Sequence, residues 1–260
     1  MNKSFSISWV LSVLLVTSVG LMSGANTSKA AIANQTPQVK AISVPTTFRG
    51  KTIAQVKLEH QKVIALTFDD GPSPYTLQVL NILKQNNIKA TFFWIGKSLQ
   101  SHQQIAKQVV ANGEAIGNHT WHHWQYLMKP NIAAQEIEST ANLIYKITGV
   151  RTSLFRPPYG LLNNGVADYA RQKRYVIVMW SVDPQDYRYK TSPQQLVNRI
   201  IPKIQPGSIV LMHDGGGNRS ATVQALPQII SQLKQQGYRF VTVPQLLELK
   251  AEADSRIAKL

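Results

Sequence analysis

The stretch "VIALTFDDGPSPYTLQVLNILKQNN", residues 63–87, runs from a strand through a turn into a helix. Val63 to Phe68 is an apolar run of buried-strand length, and Asp69-Asp70-Gly71-Pro72 is turn chemistry. The segment from Tyr75 to Asn87 is amphipathic and closes on Asn, as helix ends prefer. The same unit recurs along the chain. Further candidate strands are "ATFFWI" (90–95), "EAIGN" (114–118), "SLFR" (153–156), "VIVMWS" (176–181), "SIVLMH" (208–213) and "RFVTV" (239–243), with amphipathic segments between them. Strands alternating with helices imply parallel pairing and right-handed crossovers. About seven such units predict an α/β fold of the (β/α) barrel type rather than an open sheet. In a barrel, chemistry gathers at the C-terminal ends of the strands, which is where Asp69 and Asp70 sit.

The chain has 260 residues, 28 Lys and Arg against 13 Asp and Glu, and no Cys. Residues 1–33 read as an export signal: Lys3 gives the positive start, Trp9 to Met22 the apolar stretch, and Ser28-Lys29-Ala30 or Ala31-Ile32-Ala33 small residues for cleavage. An uncleaved segment holding the protein at a membrane is the alternative. Removing this segment takes away Lys3 and Lys29 and lowers the net charge from +15 to +13. For an exported chain, that excess points to an anionic extracellular polymer or wall surface rather than nucleic acid. With no Cys, disulfides and thiolate metal sites are excluded, so a metal would need His and carboxylate. Residues 34–58 read as a linker, 59–250 as the folded α/β domain and 251–260 as a tail. Nothing in the sequence bears on oligomeric state.

Taken alone, Asp69 and Asp70 are ordinary turn residues, and a catalytic reading requires partners elsewhere. Candidates lie at the other strand ends. "GNHTWHHWQY" (117–126) places His119 and His123 four residues apart, on one side of a helical turn. Two imidazoles and one carboxylate make a three-ligand metal site with an open position. His122 points elsewhere and reads as structural. "LFRPPYG" (154–160) holds Arg156 stiffly before Pro157 and Pro158, "WSVDPQDYR" (180–188) carries Asp183 and Asp186, and "SIVLMHDGGG" (208–217) delivers His213 and Asp214 before a flexible Gly run.

In this order, "TFDDGP", "HTWHH", "RPPYG", "DPQDY" and "LMH" resemble the five motifs of the polysaccharide deacetylase family, the NodB-homology or carbohydrate esterase family 4 domain, over roughly residues 60–247. The resemblance implies a distorted (β/α) barrel of NodB type that removes acetyl groups from N-acetylglucosamine units with one divalent ion, Zn²⁺ first and Co²⁺ or another divalent ion as alternatives. It implies Asp70, His119 and His123 as metal ligands, Asp69 as general base toward the attacking water, and Arg156 as its ion-pair partner. The N–H of Tyr159 would stabilise the oxyanion, and His213, tuned by Asp186, would be the general acid. Leu211, Tyr187 and Pro157 would contact substrate, with Tyr187 standing where the family usually has Trp. Arg156 and the cation are expected to hold Asp69 down in pKa, and Asp186 to hold His213 up. The substrate expected is a wall polysaccharide, peptidoglycan first. Chitooligosaccharides, another N-acyl compound or a non-catalytic wall-binding role are the alternatives. A metallophosphoesterase is disfavoured, since such enzymes commonly use two metals and ligands for only one are found.

Overall fold

The computed structural model describes residues 40–58 and 61–258. Ten strands occur among them: β1 (Lys40–Ala41), β2 (Thr52–Ile53), β3 (Val63–Asp69), β4 (Thr91–Trp94), β5 (Ala115–Asn118), β6 (Val150–Arg151), β7 (Leu154–Phe155), β8 (Val176–Val178), β9 (Ile209–His213) and β10 (Arg239–Phe240). The helices are α1 (Pro74–Gln85), α2 (Gly96–Ser101), α3 (Gln103–Ala111), α4 (Pro130–Thr148), α5 (Val166–Gln172), α6 (Pro193–Ile200), α7 (Ser220–Gln235) and α8 (Val243–Ile257). Every one of the seven expected runs contains a strand.

Eight strands form one sheet in the order β10-β3-β4-β5-β7-β8-β2, with β9 on the other edge of β3, and their ladders are parallel. Beyond β8 the chain stays beside β9, through a parallel bridge between Val182 and Val210 and the bond from Leu211 N–H to Val182 O at 2.9 Å. That contact brings the sheet round on itself. The result is the distorted (β/α) barrel expected. β10 and β4 share one edge of β3, β10 pairing at Val63 and β4 from Thr67 onward.

β3 is buried along its whole length, so its sequence lacks a polar face. Alternation still sorts its side chains. Ile64, Leu66 and Phe68 pack outward with Val79, Leu80 and Leu83 of α1 and Leu226, Ile229 and Ile230 of α7. Val63 and Ala65 turn inward to Phe93, Leu154, Val176, Val178 and Ile209. By that parity Thr67 and Asp69 lie on the interior side, as do Leu211 and His213 of β9 and Arg156 just past β7. A strand period of two thus aims the polar residues at one end of the barrel. Gly117 of β5 makes room inside: a Cβ there would meet the Phe93 ring at 2.3 Å.

Two expected boundaries are corrected. Residues 40–58 are part of the fold rather than linker. β1 pairs with β6, β2 pairs with β8, and Val44, Ile53, Val56 and Leu58 are buried. Their ladders are two residues long, too short to leave a period in the sequence. The tail beginning at 251 is helical to Ile257, the last turns of α8. The expected export signal and residues 34–39 lie outside the described residues. Among the described residues, no helix is long and apolar enough to cross a membrane.

Candidate active site

A cavity of about 460 Å³ opens at the C-terminal end of the barrel. Asp69, Asp70, His119, His123 and His213 line its polar part, and Pro157, Tyr159, Tyr187 and Leu211 also border it. Arg156 and Asp186 stand behind the wall, each bonded to a lining residue. All eleven residues singled out from the sequence are therefore gathered at one place.

Asp69 and Asp70 diverge although they are adjacent. Asp69 ends β3 in strand geometry, whereas Asp70 has φ 73°, a left-handed value uncommon outside Gly. His123 (φ 63°) and Tyr159 (φ 56°) share that conformation. Such strain gathers where the surrounding structure holds a functional geometry. Asp70 Oδ1 is 3.5 Å from His119 Nε2 and 3.4 Å from His123 Nε2. One ligand atom from each of the three residues lies within 4.8 Å of the others. Asp70 Oδ1 is buried without a hydrogen-bond partner, an orphan that a cation would satisfy. His119 Nδ1–H donates to Arg156 O at 2.7 Å, fixing the tautomer that leaves the Nε2 lone pair free. Burial and the neighbouring His123 hold His119 down to about 3, so it is neutral, as a ligand must be. Two imidazoles and one carboxylate, whose oxygen is the orphan, fit a divalent ion.

Asp69 is held by Arg156, whose Nη1–H donates to Asp69 Oδ1 at 2.7 Å and to Thr67 Oγ1 at 2.8 Å. Arg156 is fully buried, donating also to the carbonyls of Val178 and Met179, with its guanidinium 4.2 Å from the Phe93 ring centre. The expectation that Asp69 is depressed needs correction for the protein alone. Burial raises its pKa, and the charge of Arg156 opposes that rise without overcoming it.

His213 is the register partner of Asp69 across β3 and β9. Its Nδ1–H donates to Asp186 Oδ1 at 2.7 Å, and its backbone N–H to Asp186 Oδ2 at 2.8 Å. Thr222 Oγ1–H donates to the same Oδ2 at 2.8 Å. Burial pulls the imidazole down, but the hydrogen bond and charge of Asp186, joined by Asp70 and Asp69, push it up to about 9. Asp186 itself falls: burial raises it, and its bonds to His213 and Thr222 prevail. The Tyr187 ring stands edge-on to His213, centres 5.5 Å apart, and its hydroxyl donates to Asp183 Oδ2 at 3.1 Å. His122 is taken up structurally: it bonds Glu136 Oε1 at 2.6 Å and stacks on Trp124.

Several contributors had no role assigned from the sequence. Trp180 lines the cavity beside Leu211, and the only sequence signal was its place at a strand end. Asp214 is fully buried, its Oδ2 accepting from Thr76 Oγ1 at 2.5 Å and its carbonyl from Ser73 Oγ at 2.5 Å. Burial, with the charges of Asp70 and Asp69, pushes its carboxyl up to about 7 against the Thr76 bond. The Gly run after it is a close approach rather than a flexible hinge. A Cβ on Gly216 would meet Asp70 Oδ2 at 2.4 Å.

The polysaccharide deacetylase family model matches residues 57–178. A peptidoglycan-N-acetylglucosamine deacetylase of Bacillus cereus is 42% identical over 197 residues, covering 74% of this chain and 91% of that protein. The peptidoglycan-N-acetylmuramic acid deacetylase PdaC of Bacillus subtilis is 34% identical over 232 residues, 88% of this chain and 46% of its own. The crystal structure of the Bc1960 peptidoglycan N-acetylglucosamine deacetylase, solved with a naphthyl N-hydroxybenzamide, superposes with a TM-score of 0.71 at 33% identity, covering 76% of this chain and 92% of that one.

Proposed function

The chain belongs to the polysaccharide deacetylase family, and we propose that it removes N-acetyl groups from N-acetylglucosamine units of peptidoglycan. The observation that carries this reading is one cavity containing an Asp-His-His set with an orphaned oxygen, a carboxylate held by a buried Arg, and an imidazole held by a buried Asp. Asp70, His119 and His123 would hold the ion, with Zn²⁺ the first candidate and Co²⁺ or another divalent ion the alternative. When bound, the ion supplies Lewis acidity toward the acetyl carbonyl and lowers the pKa of water toward about 7.

Asp69 is the general base. Arg156 occupies its Oδ1, leaving Oδ2 to take the proton of the attacking water as its oxygen adds to the acetyl carbon. The Tyr159 N–H donates to the carbonyl oxygen as it gains charge. His213 is the general acid. With Nδ1 engaged by Asp186, its Nε2–H protonates the sugar nitrogen as the C–N bond breaks, and acetate and a free amine leave. Leu211 and Trp180 give the acetyl methyl an apolar wall, and Pro157 and Tyr187 border the sugar. This work belongs outside the cytoplasm at the wall, consistent with residues 1–33 as an export signal.

A second reading, deacetylation of muramic acid units, is favoured by the likeness to PdaC. Mass spectrometry of muramidase-digested peptidoglycan after incubation with metal-loaded enzyme decides between them. The expected result is acetyl loss at glucosamine units. Loss confined to muramic acid units, or to chitooligosaccharides supplied in parallel, would replace the proposal.

A further inference from the structure

Next to the catalytic cavity lies a second cleft of about 440 Å³, joined to it through Tyr187, Gly216 and Arg219, which border both. Its rim is "YRYK", residues 187–190, four consecutive exposed side chains alternating aromatic and basic. Tyr189 is 90% exposed, and Lys190 Nζ stands 5.2 Å from its ring centre. Arg219 forms part of the inner wall and is 6% exposed. Its three hydrogen bonds go to carbonyl oxygens, Gly215 at 2.6 Å, Gly216 at 3.1 Å and Asp186 at 3.4 Å, and among the described residues none goes to a carboxylate. It also occupies the N-cap position of α7, at the positive end of that helix dipole, with no side-chain capping bond. A buried cation on a positive helix end, without an ion-pair partner, leaves a local excess of positive charge. The carboxylate in this wall, Asp186, spends both oxygens on His213 and Thr222.

We infer that this cleft takes a carboxylate of the substrate polymer, carried by the unit next to the one being deacetylated. The inference rests on the peptidoglycan reading above and deepens it. In a glycan alternating glucosamine with muramic acid, every neighbour of a target unit bears a lactyl group or the peptide attached to it, and these carry the carboxylates. Arg188 and Lys190 meet the anion at the rim, Arg219 supplies the field behind it, and Tyr189 offers a flat face to the sugar. Neutral chitooligosaccharides have nothing to place there. The released acetate is the other carboxylate at hand, but the cleft is far larger than acetate requires.

The test compares wild type with Arg188→Ala/Lys190→Ala, exposed positions whose loss leaves the core and the catalytic residues intact. Binding is measured to muropeptide fragments with free carboxylates, to the same fragments blocked as methylamides, and to sodium acetate alone. Wild type should prefer the free-carboxylate fragments about five- to tenfold, and the variant should lose most of that preference. High salt should erase the difference in wild type as well. KM for peptidoglycan should rise by the same factor in the variant with kcat unchanged, while chitooligosaccharide kinetics stay as in wild type. Equal wild-type binding of free and blocked fragments overturns the inference, and acetate bound without such a preference reassigns the cleft to product release. If wild type prefers the free carboxylate yet releases no acetyl group from peptidoglycan, the cleft stands and the proposed reaction falls.

Discussion

At the scale of the residue, the site depends on two neighbouring carboxylates having separate surroundings. Asp69 meets a buried guanidinium, and Asp70 is turned by its left-handed backbone toward two imidazoles. Asp69→Asn should therefore keep bound metal while kcat falls about 10²–10⁴-fold, the usual contribution of a general base. Asp70→Asn should instead lose metal affinity. Equilibrium dialysis alongside kcat separates the two, and equal metal loss in both variants would refute the division. The pH profile follows from the same surroundings. His213 must be protonated to act, and its pKa is raised to about 9, so activity should persist above neutrality and fall as pH rises through the His213 value. A bound cation offsets the charges of Asp69 and Asp70, placing the alkaline limb between the ordinary histidine value and about 9. Asp186→Asn removes the dominant upward influence, so that limb in kcat/KM should move to lower pH by about one unit or more. The acid limb belongs to Asp69: burial raises that carboxyl in the protein alone, and a bound cation draws it, and the limb with it, back down.

At the scale of the element, β3 and β9 form the central pair, and the turn into α1 is tied to the end of β9 through Asp214. Asp214 is raised to about 7 in the folded protein against 3.8 for the free side chain. The folded state therefore holds this proton more tightly than the unfolded chain. Its contribution to stability is fully present below pH 3.8 and is lost progressively as pH rises toward about 7. Asp214→Asn keeps the shape and abolishes the titration, so the stability of the variant relative to wild type should grow across that window. Urea unfolding of both proteins, chelated and at matched pH values, reads the difference. A gap that does not change with pH would mean Asp214 is ionised in the fold. The loop after β9 makes a second demand: Gly216→Ala should weaken metal binding, because its Cβ would press on Asp70 Oδ2. Metal titration of the folded variant checks this.

At the scale of the whole molecule, the barrel was legible because its strands are short apolar runs separated by helices, and the site because its side chains sit just past those runs. Arg156 with its prolines, the His pair and "TFDDGP" are compact in sequence. What escaped depends on distant contacts. Asp214 meets Thr76 across 138 positions, and Arg156 meets Thr67 across 89. Trp180 and Arg219 acquire their places only when the sheet curls. Residues 40–58 escaped for a further reason: their pairings, Lys40 with Val150 and Thr52 with Ile177, are distant and also too short to show a pattern. The central claim, that Asp70, His119 and His123 hold one ion on which hydrolysis depends, is tested most directly by titrating Zn²⁺ into chelated protein while bound metal and acetate release from peptidoglycan are measured on the same sample. Release should rise in proportion to bound metal and level off at about one ion per chain. Full acetate release from the chelated protein, before any Zn²⁺ is added, would contradict it.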